Sequence, residues 1–128
     1  MRTPIKLLVV DDEMDVCNFV KSFFQMRGLS VATALNGDEA LAALDKEKPD
    51  VVILDIMMRT ENEGLEYLPR IKAALPTANI LVVTGVEDEK VIQTAKSLGA
   101  CGTIQKPLVL EYLETTVFDK VRDFNRVL

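Results

Sequence analysis

The chain has 128 residues, 48% of them hydrophobic and 27% charged, which suits one folded domain with a real core and excludes a disordered chain. Its formal net charge is −5, with 20 acidic against 15 basic residues, so direct nucleic-acid binding is not expected. Histidine is absent, which removes a histidine metal site, a Ser-His-Asp triad and any phosphohistidine carried by the chain itself.

In chain order, a first apolar run from Ile5 to Val10 leads into Asp11-Asp12. A helix is expected over Glu13 to Arg27, with Val16, Phe19, Val20, Phe23 and Phe24 on one face and Gly28 as its stop. Val31 to Leu35 reads as a second strand. Asn36, with Glu39 three residues on, makes a capping-box pattern opening a second helix that buries Ala40, Leu41 and Leu44. Val51 to Leu54 forms a third run, ending at Asp55. The third helix carries Leu65, Leu68, Ile71 and Leu75 and stops before Pro76, with Pro69 expected to kink it or shift its start. Ile80 to Val83 is followed by Thr84-Gly85, and a fourth helix carries Val91, Ile92, Ala95 and Leu98 before Gly99. Cys101 to Ile104 leads through Gln105 to Lys106-Pro107. A last helix spans about Val109 to Val127 with Leu110, Leu113, Val117, Val121 and Phe124 in register.

The first, third and fourth runs are nearly continuous in Leu, Val and Ile, as in strands covered on both faces. Strand–helix alternation with short connections predicts right-handed βαβ units and one parallel sheet between layers of helices, a single domain over 1–128. Cys17 and Cys101 lie in apolar stretches without CxxC spacing and read as small core residues. No apolar run reaches membrane-spanning length and MRTPIK leads straight into a strand, so neither membrane nor secretory location is expected, and the cytoplasm is.

The polar residues just past each apolar run carry the chemistry. Strands of a parallel sheet end at one edge, so Asp11, Asp12, Asp55, Thr84 and Lys106 should converge there, where open α/β sheets place their ligands. Taken singly, Asp12 could cap a helix, Asp55 could cap a turn, Thr84 could cap the fourth helix and Lys106 could be a solvated amine. Together, each at a strand's end, they point to one site. Three carboxylates about 4 Å apart repel by roughly 4 kcal/mol per pair at an effective dielectric near 20, so a proton or a cation must neutralise them. An all-oxygen donor set selects a hard ion, and Mg²⁺ suits phosphate chemistry. With a hydroxyl and an ammonium nearby, the set could hold a phosphoryl group from several sides.

VVDDE at 9–13, VILDIMM at 52–58, VVTG at 82–85 and QKP at 105–107, in that order, resemble the receiver domain of bacterial two-component response regulators. The resemblance implies a flavodoxin-like doubly wound sheet of order 2-1-3-4-5. It also implies that Asp55 is the phosphoacceptor and that Thr84 and Lys106 bind phosphoryl oxygens. Mg²⁺ would be held by Asp11, Asp12, Asp55 and the backbone carbonyl of Met57, and Pro107 would follow a cis peptide bond. The donor would be a partner histidine kinase or histidine phosphotransfer protein, with an output domain or downstream protein, or a homodimer, as further partners. The chain would then be no conventional enzyme, only a catalyst of its own modification and its reversal.

Three departures from the family pattern stand out. Arg59 replaces the usual proline, in a loop one residue longer before Gly64. Thr103 replaces an aromatic switch residue, leaving Thr84, Gly85 and the helix beyond to carry the signal. Met57 and Val86, two after Asp55 and Thr84, are apolar and offer attacking water no hydrogen bond, which predicts slow self-dephosphorylation. Other readings fit less well. An aspartyl-phosphate phosphatase would show a second Asp where Met57 stands, and a flavin carrier would need a phosphate loop where Asp11-Asp12-Glu13 lies. A vestigial receiver serving only dimerisation or protein interaction is the remaining alternative.

Overall fold

The computed structural model describes residues 4–85 and 88–125, the side chains of 121–125 excepted. Val86 and Val127, and the side chains of Val121 and Phe124, therefore lie outside the described residues. The strands are β1 (Lys6–Val10), β2 (Ser30–Ala34), β3 (Val51–Asp55), β4 (Asn79–Thr84) and β5 (Gly102–Gln105). The helices are α1 (Met14–Gln25), α2 (Gly37–Glu47), α3 (Glu63–Ala74), α4 (Glu89–Ser97) and α5 (Leu110–Asn125). All pairings are parallel, in the order β2-β1-β3-β4-β5, which is the expected doubly wound arrangement.

Alternation along the strands divides the core. Leu8, Val10, Val52 and Leu54 point to the face covered by α2, α3 and α4, where they meet Leu44, Leu68, Ile71 and Ala95. Leu7, Val9, Val51 and Ile53 point to the other face, against Val20 and Phe24 of α1 and Leu113 and Val117 of α5. Truncating any one of these fully buried aliphatics to Ala is expected to cost roughly 2–5 kcal/mol. All five residues of β3 are buried, which explains its unbroken apolar run ending in a carboxylate.

The helix boundaries follow local chemistry. Asn36 Oδ1 accepts the Glu39 N–H at 2.9 Å and opens α2, while the Glu39 carboxylate turns back to the Leu35 N–H at 3.2 Å. Gly28 (φ 88°) and Gly99 (φ 114°) take the left-handed conformation just past α1 and α4. Pro69 neither ends nor starts α3 but lies inside it.

One face differs from expectation. Phe19, read as core, is 63% exposed, whereas Cys17, Val20 and Phe24 form the buried stripe of α1. At 3.6 residues per turn Phe19 lies roughly 130° from the centre of that stripe. The helix is turned so that the small Cys17 packs below the sheet edge, its thiol 3.3 Å from the Asp11 carbonyl. Cys101, by contrast, is only half-buried, and both thiols are free.

Candidate metal centre

Register brings the polar residues together. Val10 pairs with Leu54, so Asp11, just past β1, and Asp55, the last residue of β3, meet side by side at the C-terminal rim. Asp55 pairs with Val83 and Thr84 with Gln105, which adds the ends of β4 and β5 to the same rim. One carboxylate oxygen from each of Asp11, Asp12 and Asp55 lies within 4.8 Å of the others.

The three acids are not equivalent. Asp11 is 5% exposed and Asp55 2%, while Asp12 is exposed to solvent. Asp11 Oδ1 accepts the Glu13 N–H at 2.9 Å, and Asp55 Oδ1 accepts the Met57 N–H at 3.2 Å. The Lys106 ammonium lies 3.0 Å from Asp55 Oδ2, above a carboxylate otherwise almost closed to solvent. Burial pushes the Asp11 carboxyl up to about 6, the Glu13 N–H pulls it back, and the negative charge of Asp55 adds to the rise. Burial also raises Asp55, against the pull of the Lys106 hydrogen bond and charge. Burial would lower Lys106, but the bond to Asp55 and its charge, with those of Asp11 and Glu13, outweigh it and raise its pKa.

Such a set holds excess negative charge in a place that resists it, and a hard cation relieves that. Mg²⁺ sits about 2.1 Å from its oxygens, so opposite ligands of one ion are about 4.2 Å apart. All three carboxylate oxygens lie within 4.8 Å of one another, close to that span. The donors are purely oxygen. Cys17 below them is pushed up to about 11 by burial and then by Asp11, so it stays a thiol and offers no soft ligand.

Helix capping falls to neighbours of these residues. Glu13, not Asp12, is the N-cap residue of α1, and its side chain makes no cap bond. α4 is capped by Asp88, whose carboxylate accepts the Lys90 N–H at 2.9 Å, so Thr84 does not cap it. Thr84 is 4% exposed and borders a hollow of about 240 Å³ with Ile56, Met57, Glu61, Asn62 and Gly85. Asp55 does tie down the turn after β3, in addition to facing Lys106. The Lys106–Pro107 peptide bond is cis. The Met57 side chain is 51% exposed, and Thr103 is half-buried in β5 opposite Val82.

A second hollow of about 590 Å³ opens on the other side of the rim, lined by Asp11, Glu13, Val16, Phe19, Lys106 and Leu108.

Sequence reading missed Glu63. Its carboxylate, 3% exposed, accepts four N–H bonds: Gly37 N at 2.9 Å, Arg59 N at 3.0 Å, Arg59 Nε at 2.9 Å and Arg59 Nη2 at 2.7 Å. The Arg59 bonds, outweighing burial, hold its carboxyl down at about 2. The i,i+4 spacing of Arg59 and Glu63 was the available signal, but Glu61 and Glu66 flank the same stretch and nothing local selects between them.

A family model for the response regulator receiver domain matches residues 7–118. The chain is 38% identical over 115 residues to the chemotaxis protein CheY of Listeria monocytogenes, covering 86% of this chain and 96% of that protein. It is 30% identical over 112 residues to sporulation initiation phosphotransferase F of Bacillus subtilis, covering 88% of this chain and 90% of the relative. It is 37% identical over 111 residues to the transcriptional regulatory protein TrcR of Mycobacterium tuberculosis, covering 87% of this chain but only 43% of TrcR. The crystal structure of a two-component response regulator from Clostridium difficile superposes with a TM-score of 0.88 at 28% identity, covering 94% of this chain and 98% of that one.

Proposed function

Because the chain belongs to the response regulator receiver-domain family, we propose that Asp55 accepts a phosphoryl group from a partner's phosphohistidine and that the modified rim switches an output surface. The observation that carries this is the meeting of Asp11, Asp12 and Asp55 oxygens within 4.8 Å, with Lys106 3.0 Å from Asp55.

The step balances simply. An Asp55 oxygen bonds to phosphorus as the donor's N–P bond breaks, and the imidazole nitrogen leaves with the electron pair, its other nitrogen already protonated. Asp55 Oδ1 is tied to the Met57 N–H, so Oδ2 is the oxygen to be freed. Lys106, whose side chain is 39% exposed on a flexible stem, can swing from Oδ2 to the incoming phosphoryl oxygens, uncovering the nucleophile as it moves. The Thr84 hydroxyl, at the end of β4, would bond another phosphoryl oxygen. Asp11, Asp12, Asp55 and the Met57 carbonyl would hold Mg²⁺, which neutralises charge on the transferring group. The apolar hollow between α1 and Leu108 gives the donor's carrier a surface to rest on.

Among the described residues no helix is long and apolar enough to cross a membrane. The chain spans 43% of TrcR and 26% of the ZraR regulators it matches, but 96% of CheY. Either an attached output domain or a separate target protein therefore fits the reading.

Incubation with acetyl phosphate and Mg²⁺, followed by intact mass, tests the proposal. One added phosphoryl group is expected, lost in Asp55→Asn and in the presence of a chelator. No gain with a competent donor would leave a protein-interaction module in its place.

A further inference from the structure

The chain turns from Asp55 into α3 through residues 56–62, the stretch that carries the Met57 carbonyl. It is anchored at two places. Where its ends meet, Gly64 N–H donates to the Ile56 carbonyl at 2.8 Å. A Cβ on Gly64 would come within 2.2 Å of the Asp55 carbonyl oxygen, so the start of α3 lies directly on the backbone of Asp55. At its middle Arg59 is gripped through its main-chain N–H and two guanidinium nitrogens by the buried Glu63 carboxylate. Across Arg59 the Met58 N–H donates to the Thr60 carbonyl at 3.0 Å.

Glu63 is itself anchored outside the loop. It accepts the Gly37 N–H, one of the unpaired donors at the start of α2. That helix is held against α3 by the Tyr67 ring, which a Cβ on Gly37 would strike at 2.3 Å, and by the Tyr67 hydroxyl bonded to Asp38. The loop's position is thus referred to the α2–α3 pair through the Glu63 carboxylate, with Asp38 of α2 a more distant second partner 3.9 Å from Arg59 Nη2. A proline ring would restrict residue 59 through its own covalent geometry; here an ion pair and a main-chain bond do it by contact.

We propose that Arg59 and Glu63 are positioning residues that hold the 56–60 backbone where the rim can close on a divalent ion, and so set the affinity of the acidic trio for it. The inference rests on the phosphoacceptor reading, since it takes Met57 as part of the ion's surroundings. Two prongs of a planar guanidinium define an orientation, whereas an ammonium supplies charge without it.

Calorimetric Mg²⁺ titration of the whole chain tests this, with thermal melts in chelator run alongside. Arg59→Ala is expected to weaken Mg²⁺ binding about 5- to 10-fold and to speed amide exchange at Met57 and Met58, and Arg59→Lys should recover little of either. Asp50→Ala serves as the control for general loosening, because it removes a bond to the Lys6 N–H at the opposite rim. It should lower the melting temperature without moving the Mg²⁺ affinity. Should Glu63→Gln fail to fold, Arg59→Ala still decides, since its side chain is 52% exposed. An unchanged affinity in Arg59→Ala, or full recovery by lysine, overturns the inference alone. A wild-type chain that takes up no Mg²⁺, or an Asp12→Asn variant that binds it equally well, overturns the phosphoacceptor reading and the inference with it.

Discussion

Asp11 and Glu63 are both buried carboxylates, 5% and 3% exposed, and they behave in opposite ways. Glu63 receives four N–H donors, two of them from a cation, and its carboxyl is held at about 2. Asp11 receives one main-chain N–H and faces other acids, and its carboxyl is pushed up to about 6. Burial raises both carboxyls; the Arg59 hydrogen bonds outweigh it at Glu63, whereas the single Glu13 N–H does not outweigh it at Asp11. Around Glu63 the charge is satisfied within the protein and the group ties three elements together. At the rim three acids meet Lys106, and the excess negative charge leaves room for an ion and a phosphoryl group. The contrast separates carboxylates that hold the structure from those that work.

The largest expected effect sharpens the working side. Lys106→Ala removes the ammonium bonded to Asp55. A charge-assisted bond is worth about 1.5–3 kcal/mol, so phosphorylation by acetyl phosphate should slow by roughly 10- to 100-fold, read from the mass time course. An unaltered rate would remove Lys106 from the site. On the holding side, Glu63→Gln should lower stability by about 2 kcal/mol in urea melts, because donors lose a charged acceptor in a buried place. A change near zero would mean that Gly37 and Arg59 find other partners at no cost.

Acid gives the sharpest contrast between the two. Asp11 has a folded pKa above its ordinary value, so its protonation favours the folded chain; that contribution is full below about 3.8 and lost as pH rises through about 6. Glu63 runs the other way, contributing fully above about 4.5 and losing it only as pH falls through about 2. In chelator the domain should therefore be more stable at pH 5 than at pH 7.5, by on the order of 1–2 kcal/mol, and saturating Mg²⁺ should shrink the difference. A chelated chain less stable at pH 5 would contradict the assignment of excess charge to the rim. The smallest effect concerns water. Met57 offers no hydrogen bond, so the phosphorylated chain should be long-lived, and Met57→Asn should shorten its half-life a few-fold. A wild-type half-life no longer than that of the variant would refute this.

Much of the layout is legible in the residues because burial on both faces leaves a plain mark. The Leu-Leu-Val-Val and Val-Val-Ile-Leu runs read as strands covered on both faces, and a carboxylate directly after each then stands at one rim. The capping pair Asn36 and Glu39 works over three residues and is read equally well. The illegible part depends on distance or rotation. Glu63 reaches Gly37 across 26 positions of sequence, and no local pattern announces that contact. Phe19 has helical spacing suited to the core, but α1 buries Cys17, Val20 and Phe24 instead and leaves Phe19 lining the hollow beside Lys106. Arg59, where the family usually has proline, could only be interpreted once its acidic partner was in view.

Reductive trapping tests the central assignment most directly. Borohydride converts an aspartyl phosphate to homoserine, so the phosphorylated chain should yield, on peptide sequencing by mass spectrometry, homoserine in place of Asp55 and unmodified Asp11 and Asp12. Homoserine at either of those neighbours, or a phosphorylated chain with none at position 55, would contradict the account.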